Sequence, residues 1–305
     1  MTAPETPLQH PEPFGVRLRR AMDTRGPLCV GIDPHAALLA DWGLSDDIAG
    51  LERFTRTVVD ALADRVAVLK PQSAFFERFG SRGVAVLERA VADARSAGAL
   101  VLMDAKRGDI GSTMAAYAAT YLDKDSPLFS DAVTVSPYLG FGSLRPALDA
   151  ARISGAGVFV LALTSNPEGA EVQHAVGADG RTVAAAVLSR LKTENGKDAE
   201  DAAAAGAAPA AAGALGSYGA VVGATLGGTL GAAGADLMID GPLLAPGIGA
   251  QGATPADLPG VFGAAVRNVV PSVSRGVLRH GPDAAALRAS AARFAEEVRA
   301  AVGPR

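Results

Sequence analysis

Apolar and polar positions along this chain fall into a repeating alternation. Eight short runs, 28–33, 66–71, 100–106, 132–137, 158–164, 219–224, 243–247 and 268–274, are rich in Val, Ile, Leu and Ala. Each is too short for a helix, and nearly all lack the polar alternation of a half-exposed strand, which predicts parallel strands covered on both faces. Longer amphipathic or Ala-rich stretches separate them and predict helices that include 46–63, 84–97, 113–122, 182–191 and 282–302. Most successive strands start about 25 to 38 residues apart, the size of one βα unit.

Eight such units without an obvious second domain predict an α/β chain folded as a single-domain (β/α)8 barrel over 27–303, with a doubly wound open sheet as the competing architecture. Residues 1–26 read as an N-terminal arm, with a helix over 14–22 that covers the barrel floor. The one long interval, between the fifth and sixth strands, contains an Ala-rich insertion at 192–217, which reads as a helix end followed by a mobile surface loop.

Composition narrows the class. At 305 residues and 49% hydrophobic, the chain can bury a large core, and a net charge of −4 gives no reason to expect nucleic acid or an anionic membrane as a partner. No stretch reaches the roughly 18 apolar residues of a membrane span outside Ala/Gly-rich sequence. The first 14 residues lack the basic-then-apolar order of a signal peptide. The single cysteine, Cys29, reads as a small buried hydrophobe and fits a cytoplasmic chain. His35, His174 and His280 have no metal-ligand spacing, so no metal site is expected.

Chemistry concentrates at the C-terminal ends of the predicted strands, the face where this barrel keeps its active sites. Asp33 ends the first strand, Lys70 the second, Asp104 and Lys106 the third, Thr164-Ser165-Asn166 the fifth, and Arg275 follows the eighth. The i, i+2 spacing aims Asp104 and Lys106 at one face, roughly 7 Å apart along the backbone. After the seventh strand, Pro246-Gly247-Ile248-Gly249 with Gln251 offers amide donors, and Arg275 one unit later offers a charge-assisted fork. That loop pair is where such barrels hold a phosphate, which favours a phosphorylated small molecule. Taken singly, Lys70 reads as a snorkelling strand-end lysine, Asp33-Pro34 as a turn and Arg275 as a surface ion-pair former.

The string Asp104-Ala-Lys-Arg-Gly-Asp-Ile-Gly-Ser-Thr113, with Lys70, Thr-Ser-Asn-Pro, Pro-Gly-Ile-Gly-Ala-Gln-Gly and Ser-Arg-Gly, closely resembles the orotidine 5'-monophosphate decarboxylase family, in a form similar to its longer bacterial branch. The resemblance covers about residues 27–302. It implies conversion of orotidine 5'-monophosphate to uridine 5'-monophosphate and CO2, the last step of pyrimidine nucleotide synthesis, without metal or organic cofactor. It also implies that Lys106 protonates C6 of the pyrimidine and that Lys70, Asp104 and Asp109 complete an alternating Lys-Asp-Lys-Asp array. Asp33 is then expected to bind ribose hydroxyls with Lys70, Ser165 to read the pyrimidine amide edge, and Gln251 and Arg275 to hold the 5'-phosphate. The family forms homodimers with sites at the interface, so Asp109 and Thr113 are expected to reach the neighbouring subunit's site. The lengthened region after the fifth strand, 168–180 with 201–216, departs from the compact family pattern. Rival readings are an Mg2+-dependent sugar-phosphate lyase or synthase on a related barrel, a Schiff-base aldolase, and a barrel that binds nucleotides without catalysis.

Overall fold

Strands that are apolar on both faces need cover on both, and here they obtain it by closing on themselves. In the computed structural model, which describes residues 11–204, 213–231, 233–249 and 252–303, the strands are β1 (Cys29–Ile32), β2 (Val68–Pro71), β3 (Leu100–Arg107), β4 (Ala132–Val135), β5 (Gly157–Leu163), β6 (Tyr218–Val222), β7 (Leu243–Pro246) and β8 (Val269–Val273). They pair in chain order, all parallel, and β8 closes on β1 through Cys29 opposite Ser272 and Val30 opposite Val273. The expected (β/α)8 barrel is therefore the observed fold, and closure leaves no unpaired edge.

Because strand side chains alternate, one parity of each strand faces the barrel axis. The inward set at the lower end is apolar: Cys29, Val68, Leu102, Ala132, Phe159, Val221, Leu244 and Val270 form one buried cluster with Phe14, Leu18 and Met22. Those last three come from the helix Phe14–Arg25, which lies across the floor expected for it and runs three residues beyond Met22. Phe14 meets Phe159 edge to face with centroids 5.9 Å apart, and a Cβ on Gly157 would come within 2.3 Å of the Phe14 ring. Arg17 of this helix pairs with buried Asp131, whose other oxygen accepts the Val101 N–H at 2.9 Å. The floor is thus sealed by aromatic packing and one buried carboxylate.

Continuing two residues at a time toward the other end, the same inward parity turns polar. It reads Asp33 after β1, Lys70 and Gln72 at β2, Asp104 and Lys106 in β3, Thr134 in β4, and Ser272 and Ser274 at β8. A single alternation rule thus builds both the sealed floor and the polar mouth.

The covering helices include Ile48–Leu62, capped by Asp47, whose side chain accepts the Gly50 N–H at 2.8 Å, and Ala284–Val302, capped by Asp283. The helix Arg145–Ser154, which sequence periodicity did not single out, buries Ala147, Leu148 and Ala151 against the barrel. Two departures follow β5. The helix expected over 182–191 continues as Val183–Ala204, because Glu194 is held by Arg145 through two 2.8 Å bonds. Asn195 donates to the Tyr218 and Ile239 carbonyls and accepts the Tyr218 N–H. The helix end expected at the start of 192–217 thus extends to Ala204, and residues 205–212, part of the expected loop, lie outside the described residues. The sixth unit, 223–242, carries no helix among its described residues. Its glycines at 227, 228, 231 and 234 favour turns over a helix.

Candidate active site

The polar inward residues line a cavity of about 670 Å³ at the C-terminal ends of the strands, a volume suited to a small-molecule ligand. At its base Asp104 joins two lysines. Lys70 Nζ donates to Asp104 Oδ2 at 2.7 Å and Lys106 Nζ donates to Asp104 Oδ1 at 2.6 Å. Thr134 Oγ1 donates to the same Oδ1 at 2.8 Å. Lys70 and Asp104 are buried, while the Lys106 side chain is 44% exposed, which leaves its ammonium open to the cavity.

Burial works against charge on Lys70, but the Asp104 and Asp33 carboxylates outweigh it and hold the lysine above its ordinary pKa. Burial likewise opposes ionised Asp104, and the Lys70 and Lys106 charges hold it well below the usual carboxylate range. Both members of the buried pair are therefore charged at neutral pH. Beneath them, burial pushes the Cys29 thiol up to about 12, so it is a protonated interior side chain, in keeping with its reading as a buried hydrophobe.

β3 reaches this geometry through a bulge. Met103 pairs with Val133 and Arg107 with Val135, so four steps on β3 face two on β4. Within the bulge Lys106 adopts φ +46°, and its N–H donates to Thr134 Oγ1 at 3.0 Å. A non-glycine residue in that region stores about 1–3 kcal/mol, which the surrounding structure must offset.

Higher in the cavity, three buried oxygens have no hydrogen-bond partner among the described residues: Asp33 Oδ1, Ser165 Oγ and Ser274 Oγ. All three residues line the cavity. Buried polar atoms are seldom left unpaired, so three converging on one cavity mark positions where a polar ligand completes the bonding. Ser165 is seated against Gly223, where a Cβ would lie 2.3 Å from the Ser165 hydroxyl.

On the side of β7 and β8, Gly247, with φ +107°, and Ile248 line the cavity with Arg275. Arg275 is exposed and forms no ion pair among the described residues. Gly249 stands outside the lining and its N–H is engaged by the Ala253 carbonyl at 2.7 Å, so it is not a free donor. Gln251 lies outside the described residues. Asp109 and Thr113 also stand outside the lining of their own chain's cavity. Asp109 is half-buried and accepts the Ile110 N–H at 2.7 Å, and Thr113 is exposed.

The lining also includes Thr134, Gln72 and Ser272, which the sequence did not single out, with His35, read there only as lacking metal-ligand spacing, and Ser274 of the Ser-Arg-Gly motif. The inward parity of each strand is the signal that finds them. It places Thr134 two residues beyond inward Ala132, and Ser272 and Ser274 beyond inward Val270.

A relative from Streptomyces coelicolor, orotidine 5'-phosphate decarboxylase, is 74% identical over 291 residues, covering 95% of this chain and 99% of the relative. The Salinispora arenicola protein of the same name is 62% identical over 292 residues, covering 95% and 99%. A Streptomyces avermitilis crystal structure superposes with a TM-score of 0.87 at 75% identity, covering 96% of both chains. The OMP decarboxylase of Leishmania donovani superposes at 0.72 with 30% identity, covering 95% and 99%. The family model for orotidine 5'-phosphate decarboxylase / HUMPS matches residues 26–290, which include all eight strands and the Lys70, Asp104 and Lys106 cluster. By closed barrel, by charged mouth and by descent, the chain belongs to the orotidine 5'-phosphate decarboxylase / HUMPS family.

Proposed function

We propose that this chain decarboxylates orotidine 5'-monophosphate to uridine 5'-monophosphate, with Lys106 as the residue that stabilises and protonates the reacting carbon. The observation that carries the reading is the Lys70–Asp104–Lys106 cluster, two ammonium groups on one buried carboxylate at the base of a nucleotide-sized cavity. Loss of CO2 from C6 leaves an electron pair in the ring plane, where the ring carbonyls cannot conjugate with it. Its stabilisation must be electrostatic. The exposed ammonium of Lys106 faces the cavity, stabilises the carbanion and gives it a proton. Asp104 keeps that ammonium oriented, and its charge opposes the substrate carboxylate. Two unit charges near 4 Å repel by about 4 kcal/mol at an effective dielectric of 20. Because substrate binding can relieve that repulsion, carbanion stabilisation is assigned the larger share.

The other contacts are those the family resemblance implies, and the places of Asp33, Ser165, Gly247 and Arg275 in the cavity lining support them. Asp33 accepts from ribose hydroxyls beside Lys70, Ser165 meets the amide edge of the pyrimidine, and Gly247 and Arg275 hold the 5'-phosphate together with Gln251. Phosphate binding far from C6 contributes to the rate by aligning the charge array, as well as to affinity. Asp109 and Thr113 act on the neighbouring subunit of a homodimer. Their place outside their own cavity supports this, as do the exposed Ile110, Tyr138 and Leu139 on the adjoining loops, 62%, 75% and 52% accessible in the single chain.

The test is the loss of orotidine 5'-monophosphate absorbance with EDTA present. A falling trace supports a cofactor-independent decarboxylase, activity abolished by EDTA points to the Mg2+-dependent class, and a flat trace from folded protein without EDTA overturns the reading. Arg275→Ala is expected to raise KM strongly in the same assay.

A further inference from the structure

We infer that Thr134 is a positioning residue for this reaction, a single buried hydroxyl that sets Lys106 and Asp104 relative to each other. The inference rests on the decarboxylase reading above and deepens it. Thr134 is 1% exposed and sits on the inward parity of β4. Its hydroxyl hydrogen goes to Asp104 Oδ1 at 2.8 Å, and its oxygen accepts the Lys106 N–H at 3.0 Å. One side chain thus bonds the carboxylate of one catalytic residue and the main chain of the other.

The bulge explains the need. Lys106 lies in the irregular stretch between the Met103–Val133 and Arg107–Val135 pairs, where the regular ladder is interrupted, and a part-buried amide without an acceptor is costly. Thr134 supplies that acceptor from a side chain instead. It does so where Lys106 is held at φ +46°, a conformation lysine keeps only when its surroundings enforce it. A threonine suits the task because branching at Cβ restricts χ1, fixing where the hydroxyl points. Without the hydroxyl the Lys106 backbone is free to relax toward negative φ, which swings Nζ away from the cavity. Asp104 Oδ1 also loses its hydroxyl donor, and Lys106 Nζ, its other donor, is the group that the swing withdraws. Thr134 lies below the substrate, so this change leaves the ribose and phosphate contacts in place.

The test compares Thr134→Val, which preserves shape but removes both bonds, with Thr134→Ser, which restores the hydroxyl. Three quantities are read: kcat and KM for orotidine 5'-monophosphate, and exchange of the C6 hydrogen of uridine 5'-monophosphate in D2O. In that exchange a neutral Lys106 amine removes the C6 proton, the resulting ammonium trades hydrogen with solvent, and a deuteron returns to the carbanion, with no net reaction. It reports Lys106 geometry without a departing carboxylate.

Thr134→Val is expected to lose about 100-fold in kcat, with KM within about threefold of wild type and exchange slowed by a similar factor. Thr134→Ser is expected to recover kcat to within about threefold of wild type. The inference is overturned if folded Thr134→Val keeps kcat within about threefold of wild type, or if Thr134→Ser loses as much as Thr134→Val. Should Thr134→Val not fold, the same criteria apply to Thr134→Ala against Thr134→Ser. Wild-type protein that leaves orotidine 5'-monophosphate unchanged removes the decarboxylase reading itself, whereas active wild type with indifferent variants removes only the role of Thr134.

Discussion

Asp104 carries more of the site than any other side chain, since its two oxygens receive Lys70, Lys106 and Thr134. Removing its charge while keeping its shape leaves two ammonium groups without their counter-ion. Asp104→Asn is therefore expected to lower kcat by about 10²- to 10³-fold or more, measured by steady-state decarboxylation. Gly223 offers a subtler test. Its missing Cβ makes room for Ser165, so Gly223→Ala is expected to displace that serine and raise KM more than it lowers kcat. Legibility at this scale follows how unusual a residue is in its setting. Charges two apart at the end of an apolar strand have no other good explanation, so Asp104 and Lys106 could be read directly. Thr134 sits in Ala-Val-Thr-Val, where threonine is an ordinary strand former, and only the inward parity and the bulge give it meaning. Gly249 illustrates the converse. A glycine-rich loop was legible, but which of its amides is already engaged depends on the turn to Ala253.

Among the elements, the strands were legible because burial on both faces leaves continuous apolar runs, and the eight named from the pattern correspond to the eight observed within a few residues. The helix Val183–Ala204 was read short because its second half is polar and Ala-rich, and its support comes from Arg145 and Tyr218, distant in sequence. The sixth unit has turns where the repeat suggested a helix, and its glycines carried that signal. The floor helix Phe14–Arg25 offers a stability test. Asp131 is buried and receives Arg17, Arg95 and the Val101 N–H. Removing it leaves the buried Val101 N–H without its acceptor, and because Arg17 and Arg95 are themselves 21% and 37% exposed, the cost is that of a lost buried acceptor, about 1–3 kcal/mol. Asp131→Ala is expected to lose stability of that order in urea unfolding, with decarboxylation by the remaining folded enzyme little changed, because the floor is opposite the mouth.

At the scale of the whole molecule, the charged pair at the barrel centre ties stability to pH. Asp104 titrates below its unfolded value, near 3.9, so its contribution is present above about pH 4 and lost as pH falls below it. Lys70 titrates above its unfolded value, near 10.4, so its contribution is present below that pH and lost as pH climbs past it. Unfolding midpoints in urea are expected to be highest between these limits and to fall beyond each. The proposed pairing of subunits has its own test. If Asp109 acts on the neighbouring site, an equimolar mixture of inactive Asp109→Ala and Lys106→Ala proteins regains activity. Half of the randomly paired dimers then hold one intact site of two, about a quarter of wild-type activity. No recovery after subunit exchange would place Asp109 in its own chain's site.

The central claim is that the Lys106 ammonium stabilises and protonates the carbanion at C6. The most direct measurement is kcat for Lys106→Ala beside its affinity for the nucleotide. Turnover nearly abolished, with uridine 5'-monophosphate still bound close to wild-type strength, is the expected result. A folded Lys106→Ala protein that keeps about a tenth of wild-type kcat, a difference of only about 1.4 kcal/mol in barrier, would contradict it.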